Sequence, residues 1–356
     1  MIAMGENKTD GRTPRLPATA GVLRVHPTSR CNVAYGHHVP MTGPQGQEDL
    51  PRELLHAALK DGARLGYDHL EIAGGEPFLY DGLPGLLARA RRLDLFTTVT
   101  TNGMLLSQAR RFAPVAPLID FLWVTIDGTE TEHDALRRRE GAFAQAVRNL
   151  EVVREAGIAF GLSFTLTRSS AASLESVVRL AAAEGACAVQ IDPLALGGRS
   201  MLGLVDEIPT GHDVAAALRT ARGLAAELGI GIRAEVATSD QLVLYRGRFV
   251  PQFPSRDLAA FAPVLIVESC GTVRPMALEL PDHLRLGNVY NARLVELAPS
   301  WLASPAAAEL AAACERTWWE LADPQAGASA TWHAEVASRI TVEAPDRMVA
   351  PVLLAA

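Results

Sequence analysis

Short apolar runs alternate with longer amphipathic segments from residue 22 onward. The short runs are rich in β-branched and aromatic residues, which favours strands, whereas the longer segments repeat their apolar residues with the helical period. The six predicted strands are Val22–His26, His69–Ala73, Phe96–Thr100, Phe121–Ile126, Phe160–Thr165 and Val189–Ile191. The helices predicted between them are Pro51–Leu65, Leu83–Arg92, Met104–Phe112, Ala142–Ala156 and Ala171–Glu184. Repeated βα units of this kind predict a parallel sheet.

The number of these units indicates the fold class. Six units over about 190 residues are too few for a complete eight-stranded barrel. We therefore expect an α/β protein with a partial (β/α)6 TIM-like barrel, to which a seventh helix and strand are added at Asp213–Val236. The pattern then changes to a loop and two short strand-like runs. We expect three regions, namely an N-terminal tail at 1–20, the barrel at 21–236 and a small α+β appendage at 237–356.

Composition and charge exclude several classes of protein. Hydrophobic residues make up 49% and charged residues 21% of the chain, which is typical of a well-buried globular protein. The net charge is −7, so no global positive field attracts nucleic acid or an anionic membrane. The first twenty residues lack the apolar core of a secretion signal, and no apolar run approaches the roughly 18 residues of a membrane span. We expect a cytoplasmic protein that binds neither nucleic acid nor membrane.

The four cysteines are widely separated, at Cys31, Cys187, Cys270 and Cys314. They are too few for a disulfide framework, and no CxxC pair suggests a zinc site. Four nearby thiolates for an iron–sulfur cluster are likewise absent from the sequence.

Polar and glycine-rich motifs follow the predicted strands, where parallel βα folds place their active sites. The motifs are HPTSRCNVAYGHH (26–38), GGEP (74–77), TTNG (100–103), TIDG (125–128), Ser163 with Thr165, and Ile191–Pro193. Gly74 and Gly75 expose backbone carbonyls to an ammonium group, and Glu76 adds charge. Thr125 and Asp127 suit ribose hydroxyls. Together these motifs predict a site for a nucleoside that carries an amino acid.

The order and spacing of GGEP, TTNG and TIDG resemble the radical SAM superfamily, specifically members with a C-terminal SPASM or twitch region. The resemblance covers roughly residues 22–318. It implies that S-adenosylmethionine is the small-molecule ligand. The implied cofactor-binding residues are Gly74, Gly75, Glu76, Pro77, Thr125, Asp127, Ser163, Ile191, Asp192, Pro193 and Arg199.

The sequence departs from the family at its cluster positions. The family holds a [4Fe–4S] cluster with CxxxCxxC after the first strand, but here only Cys31 is a cysteine, with Tyr35 and His38 at the other two positions. A phenol is a poor replacement for a thiolate. In the C-terminal region Met276 stands where the family has cysteine, and Cys314 lacks its CxxC partner. We therefore expect no iron–sulfur cluster.

Two functions remain open from the sequence. The first is an enzyme that uses S-adenosylmethionine in polar chemistry, either methyl transfer or elimination with release of methylthioadenosine. Its catalytic candidates are Tyr35, His37, His38 and Glu76. Tyr35 would stabilise the sulfonium or move a proton, with simple space-filling as the alternative. The second function is a non-catalytic protein that binds S-adenosylmethionine or a protein partner. We expect no metal, with a single ion on Cys31, His37 and His38 as the alternative.

Overall fold

The computed structural model describes residues 21–34, 42–194, 204–323 and 329–342. Its strands are β1 (Gly21–Val25), β2 (Tyr67–Ile72), β3 (Phe96–Thr101), β4 (Phe121–Thr125), β5 (Phe160–Leu166), β6 (Ala188–Pro193), β7 (Gly231–Ala234), β8 (Ala237–Thr238), β9 (Val264–Val267), β10 (Thr272–Pro275), β11 (Gly287–Asn288) and β12 (Ser329–Ala330). No helix among the described residues is long and apolar enough to cross a membrane.

The α-helices connect or follow these strands. They are α1 (Arg52–Arg64), α2 (Leu83–Arg92), α3 (Ala109–Phe112), α4 (Glu130–Arg137), α5 (Ala142–Glu155), α6 (Leu174–Ala183), α7 (Gly211–Leu228), α8 (Ser239–Leu244), α9 (Arg246–Phe249), α10 (Leu258–Phe261), α11 (Leu294–Leu302), α12 (Pro305–Leu321) and α13 (Trp332–Val342).

Ten of the strands form one sheet in the order β11-β10-β9-β1-β2-β3-β4-β5-β6-β7, and β8 pairs with β12. The eight strands from β9 to β7 in this order pair in parallel with their neighbours. Strand β10 runs antiparallel to β9, and β11 runs antiparallel to β10. This arrangement confirms the predicted α/β class with a parallel sheet. The strands β9 to β11 come from beyond residue 237 and extend the barrel sheet, so the predicted boundary there does not separate two sheets.

The sheet is curved into a partial barrel. In a flat sheet β1 and β7 would lie about 29 Å apart, because five strands separate them at about 4.8 Å per strand. The Arg24 side chain on β1 nevertheless lies 3.3 Å from Glu235, which directly follows β7. We call the space enclosed by the inner faces of the strands the barrel lumen.

Side chains alternate between the lumen and an outer hydrophobic core. On β1, Leu23 and Val25 are buried in the outer core, and Gly62 allows α1 to lie against Leu23. The amino end of the lumen is filled by Phe121 and Trp123. The Trp123 ring lies over Gly161, where a Cβ atom would be 2.8 Å from a ring carbon.

The structure departs from the prediction at one predicted helix and at one helix that was not predicted. Residues 104–108 form a turn rather than the start of the predicted helix Met104–Phe112, because Met104 and Leu106 anchor that turn by inserting into hydrophobic clusters. The helix α4 was not predicted, since six of its eight residues are polar or charged and its two apolar residues, Ala135 and Leu136, are adjacent and show no helical repeat.

Candidate functional site at the carboxyl ends of the strands

The GGEP turn after β2 is fixed by the buried carboxylate of Glu76. One oxygen accepts hydrogen bonds from the Phe78 backbone N–H (3.1 Å) and the Thr101 hydroxyl (2.8 Å), and the other accepts from the Asn102 N–H (3.0 Å). Glu76 is fully buried, and burial raises its pKa. The predicted role in handling protons is not supported by this geometry, since the carboxylate serves to hold two site loops together.

Gly74 and Gly75 bring this turn against the loop after β1. The Gly75 N–H donates to the Thr28 carbonyl (3.1 Å), and the Glu76 N–H donates to the Arg30 carbonyl (2.8 Å). A Cβ atom at Gly75 would lie 2.8 Å from the Thr28 carbonyl oxygen and closer still to that of Arg30. The absence of a side chain is therefore required by the contact between two loops, whether or not a ligand is bound.

The loop that carries Cys31 is anchored on both sides. The Arg30 guanidinium forms two hydrogen bonds with Asp49 (3.0 and 2.5 Å) and a third with the Leu79 carbonyl. The Asn102 amide donates to the Asn32 side chain (2.8 Å). These contacts fix the position of Cys31 at the edge of the sheet.

The carboxylate of Asp127 is completely engaged within the protein. It forms a buried ion pair with Arg137 (2.6 Å) and accepts the Thr165 N–H (3.0 Å), while its own N–H donates to His133 (3.0 Å). Both partners of the ion pair are buried. The predicted contact of Asp127 with ribose is not supported, because its carboxylate joins α4 to the end of β5.

Other predicted residues lie on the inner face of the sheet. The hydroxyl of Thr125 donates to the Thr101 carbonyl (3.1 Å), and that of Ser163 donates to Asp192 (3.1 Å). Pro193 is partly exposed at the end of β6. Ile191 instead points into the outer hydrophobic core and is fully buried. It is therefore unavailable to flank an adenine ring, contrary to expectation.

The lumen contains a charged network that the sequence analysis missed. Arg24 forms ion pairs with Glu71 (3.1 Å) and Glu235 (3.3 Å), and Arg233 lies 3.8 Å from Glu235. Arg24 and Glu71 are neighbours in the β1–β2 register, so both project from the same face. Charged residues in the middle of strands that were expected to be buried on both faces were the signal for this network.

Several predicted residues lie outside the described part of the chain. They are Tyr35, His37, His38 and Arg199. In the C-terminal region Cys270 is exposed, whereas Cys314 is buried in α12 and Met276 is buried after β10. Among the described residues no group of three histidine, cysteine or acidic side chains is placed to hold a metal ion. The SPASM or twitch resemblance of this region stays a prediction.

Comparison with known families identifies the part of the chain that carries the loops at the carboxyl ends of the strands. The model of the radical SAM superfamily matches residues 31–181. Residues 31–181 are a radical SAM superfamily domain. The matched segment runs from the Cys31 loop to α6 and includes the GGEP, TTNG and TIDG motifs.

Sequence relatives match parts of the chain, and a solved structure shares its fold. The chain is 33% identical over 178 residues to pre-heme d1 synthase of Dinoroseobacter shibae, a match that covers 48% of this chain and 43% of that enzyme. It is 28% identical to PqqA peptide cyclase of Methylocella silvestris, with 78% and 73% covered. The structure of Streptococcus suis SuiB bound to the precursor peptide SuiA has a TM-score of 0.64 and 13% identity, with 82% and 66% covered. The similarity to SuiB shows that this chain shares its fold.

The comparisons overturn the expectations about chemistry. We expected polar S-adenosylmethionine chemistry without an iron–sulfur cluster, or a protein without catalysis. Both are wrong, because the matched domain is that of the radical SAM superfamily and its relatives are synthases and cyclases, which points to S-adenosylmethionine together with a [4Fe–4S] cluster. The error lay in deducing loss of the cofactor from the cysteine spacing alone.

The described residues do not fit such a cluster by themselves. Cys31 is packed with Val33, Met104 and Ala142, and burial together with nearby Glu76 raises the pKa of its thiol to about 12. The thiol is therefore protonated at neutral pH in this environment. Of the three cluster positions after the first strand, Cys31 is the one that the described residues contain.

Proposed function

We propose that this chain is an enzyme that binds S-adenosylmethionine at the carboxyl-end edge of its parallel sheet and acts on a second ligand in the barrel lumen. The observation that carries the proposal is the superfamily match over residues 31–181, which contain the loops after β1 to β5. The fold adds support, since SuiB was also solved bound to S-adenosylmethionine, with a TM-score of 0.63 to this chain.

Within this proposal some predicted residues contact the ligand directly, and others hold the site loops in place. Those with side chains on the inner face or at the edge are candidates for direct contact, namely Thr125, Ser163, Asp192 and Pro193. Glu76 and Asp127 act through their neighbours, because each carboxylate is buried and hydrogen-bonded. Tyr35, His37, His38 and Arg199 remain candidates from the sequence.

A peptide is the second ligand that we propose. SuiB was solved with a precursor peptide, and the PqqA peptide cyclase of Methylocella silvestris matches 78% of this chain. The match to pre-heme d1 synthase is shorter and covers 48% of this chain.

Calorimetry tests the binding of S-adenosylmethionine directly. We expect one molecule to bind per chain, and Ser163→Ala to weaken its affinity about five-fold through loss of one hydrogen bond worth about 1 kcal/mol. Ser300→Ala, at an exposed position of α11, is the matched control and should leave the affinity unchanged. Absence of binding by the native chain would refute the proposal. Mass spectrometry of the incubated S-adenosylmethionine then measures its turnover.

A further inference from the structure

One side of the helix pair α1 and α2 carries a row of basic side chains. On each helix the members of the row are three or four residues apart, so they lie on the same side of that helix. All of them are at least partly exposed. We call this row the basic flank, and it consists of Arg52, His56 and Lys60 on α1 and of Arg89 and Arg92 on α2.

The two helices bring their parts of the basic flank together at Gly85 of α2. A Cβ atom at Gly85 would lie 3.8 Å from Nε2 of His56 and 3.9 Å from Cδ of Arg52. Arg89 is one turn further along α2 than Gly85, on the same side of the helix. Burial lowers the pKa of His56, and the positive charges of neighbouring Arg89 and Arg52 lower it further. His56 is therefore neutral at pH 7, and the charge of the basic flank comes from its three arginines and its lysine.

The cations of the basic flank form no ion pair with any of the acidic side chains that the structure describes. Asp49, which precedes α1, pairs instead with Arg30 (2.5 Å). Asp81, which precedes α2, lies 3.8 Å from Arg111. The Nε–H of Arg89 is buried and has no acceptor among the described residues either.

Several arginines on other helices have carboxylate partners. Arg179 on α6 pairs with Glu175 one turn earlier (2.7 Å), and Arg339 on α13 pairs in the same way with Glu335 (2.6 Å). In the basic flank the neighbouring positions carry further basic residues, and like charges placed in this way repel one another. A negatively charged partner would relieve that repulsion.

We propose that the basic flank is a docking surface for an acidic segment of a partner protein. Along α1 the row from Arg52 to Lys60 extends about 12 Å, because each residue of a helix adds about 1.5 Å. A segment with several carboxylates matches this length and charge, whereas one small anion does not. The proposal goes beyond the binding of S-adenosylmethionine and does not depend on it.

A partner bound to the basic flank would lie close to the candidate site. Arg52 is the first residue of α1 and follows Asp49 by three positions. The carboxylate of Asp49 accepts hydrogen bonds from the Thr28 hydroxyl (2.5 Å) and from Arg30 (3.0 Å), both on the loop that carries Cys31. The docking surface is thereby joined to the carboxyl-end edge of the sheet.

The charge of the whole chain favours a protein partner over a nucleic acid. The net charge is −7, so the basic flank is a local patch on an acidic molecule. A nucleic acid extends its phosphates beyond such a patch, where the remaining surface repels them. A protein can confine its acidic side chains to the area of contact.

Fluorescence anisotropy with two labelled peptides tests the proposal. The probe is an alanine-rich peptide with glutamate at every fourth position, and the control peptide has glutamine at the same positions. At low ionic strength we expect the glutamate peptide to bind the full chain about ten-fold more tightly than the glutamine peptide. Added salt should remove most of this difference, because the charges are exposed and are screened.

Matched variants locate the effect. Arg89→Gln combined with Arg92→Gln should weaken the glutamate peptide about ten-fold and leave the affinity for S-adenosylmethionine unchanged. Arg89→Lys combined with Arg92→Lys should retain most of the binding, since both charges are kept. The control is Arg219→Gln combined with Arg222→Gln, two exposed arginines with the same spacing on α7, and it should change nothing. Thermal denaturation checks that each variant is folded.

Three results would overturn the proposal. The first is equal affinity for the two peptides, or an equal loss in the α7 control. The second is tighter binding of a DNA or RNA duplex at the same salt concentration, which would assign the basic flank to nucleic acid. The third is a salt-sensitive dimer of the chain alone in analytical ultracentrifugation that the glutamine variant of α2 abolishes, which would assign the basic flank to a second copy.

Discussion

The missing side chain at Gly75 is what allows two loops of the candidate site to touch. Its N–H and that of Glu76 donate to carbonyl groups of the loop after β1, while the Glu76 carboxylate holds the end of β3. The position of the Cys31 loop therefore depends on a backbone contact that only glycine permits. A substitution here changes the protein even in the absence of any ligand.

Gly75→Ala should lower the free energy of unfolding by about 2 kcal/mol or more, because the new Cβ atom overlaps the carbonyl groups of Thr28 and Arg30. Gly85→Ala in helix α2 is the control, since its new Cβ atom would have no neighbouring heavy atom closer than 3.8 Å. There we expect a gain of up to about 1 kcal/mol. Urea denaturation of the three proteins measures both effects, and equal stability of Gly75→Ala and the native chain would contradict this account.

The role of individual residues was harder to predict than their location. The motifs after the strands correctly indicated where polar groups collect, because strand ends in parallel folds share one edge. The sequence could not show that Glu76 and Asp127 are buried, since their partners Thr101 and Arg137 are brought to them only by the folded chain. For the same reason Arg24 and Glu71 did not stand out as a pair.

At the scale of elements, α4 acts as a clamp on the ends of β4 and β5. Its last residue, Arg137, pairs with Asp127 after β4, and the second oxygen of Asp127 accepts the Thr165 N–H of β5. His133, one turn earlier in α4, accepts the Asp127 N–H. A short charged helix thus sets the relative position of two strands that carry site residues.

Arg137→Met should lower the free energy of unfolding by about 3–5 kcal/mol, because it leaves the buried carboxylate of Asp127 without its counter-charge. Arg148→Met on the exposed face of α5 should change it by no more than about 0.5 kcal/mol. Adding Asp127→Asn to Arg137→Met should recover part of the loss, since the unpaired charge is then removed. Thermal and urea denaturation measure these effects, and a stable Arg137→Met protein would show that the clamp is dispensable.

The elements themselves followed from the sequence where local pattern and burial agree. The strands β3, β4 and β5 lie within one residue of their predicted limits because their apolar runs enter the core directly. Helix α4 was missed because charge and capping, through Thr129 and Glu132, replace apolar periodicity there. The placement of β9 beside β1 joins residues more than 230 positions apart, which no local pattern contains.

At the scale of the whole molecule, the C-terminal strands β9 to β11 extend the sheet that the N-terminal strands begin. After β7 it crosses to the other side of β1, where β9 pairs in parallel over Val264–Val267. The hydrophobic core is continuous across this junction and includes both Leu23 of β1 and Leu265 of β9. The barrel therefore depends on residues from the predicted C-terminal region.

A fragment of residues 1–262, which lacks β9 and everything after it, should not fold cooperatively. Its β1 edge would expose unpaired backbone groups beside apolar side chains, so we also expect self-association. Circular dichroism during heating and size-exclusion chromatography, with the full chain as control, measure the two effects. A monomeric fragment with a sharp transition would instead support an autonomous barrel within 21–236.

Both outer strands of the ten-stranded sheet are short. β7 has four residues, and its Arg233 projects a charge toward the lumen, while β11 at the other end has two. Short strands and inward charges offer poor templates for the strand of another molecule. We therefore expect the intact chain to resist fibril growth and precipitation by edge pairing at high concentration, even though it contains a wide parallel sheet. We expect this protection only in the completed sheet, in which β9 covers β1.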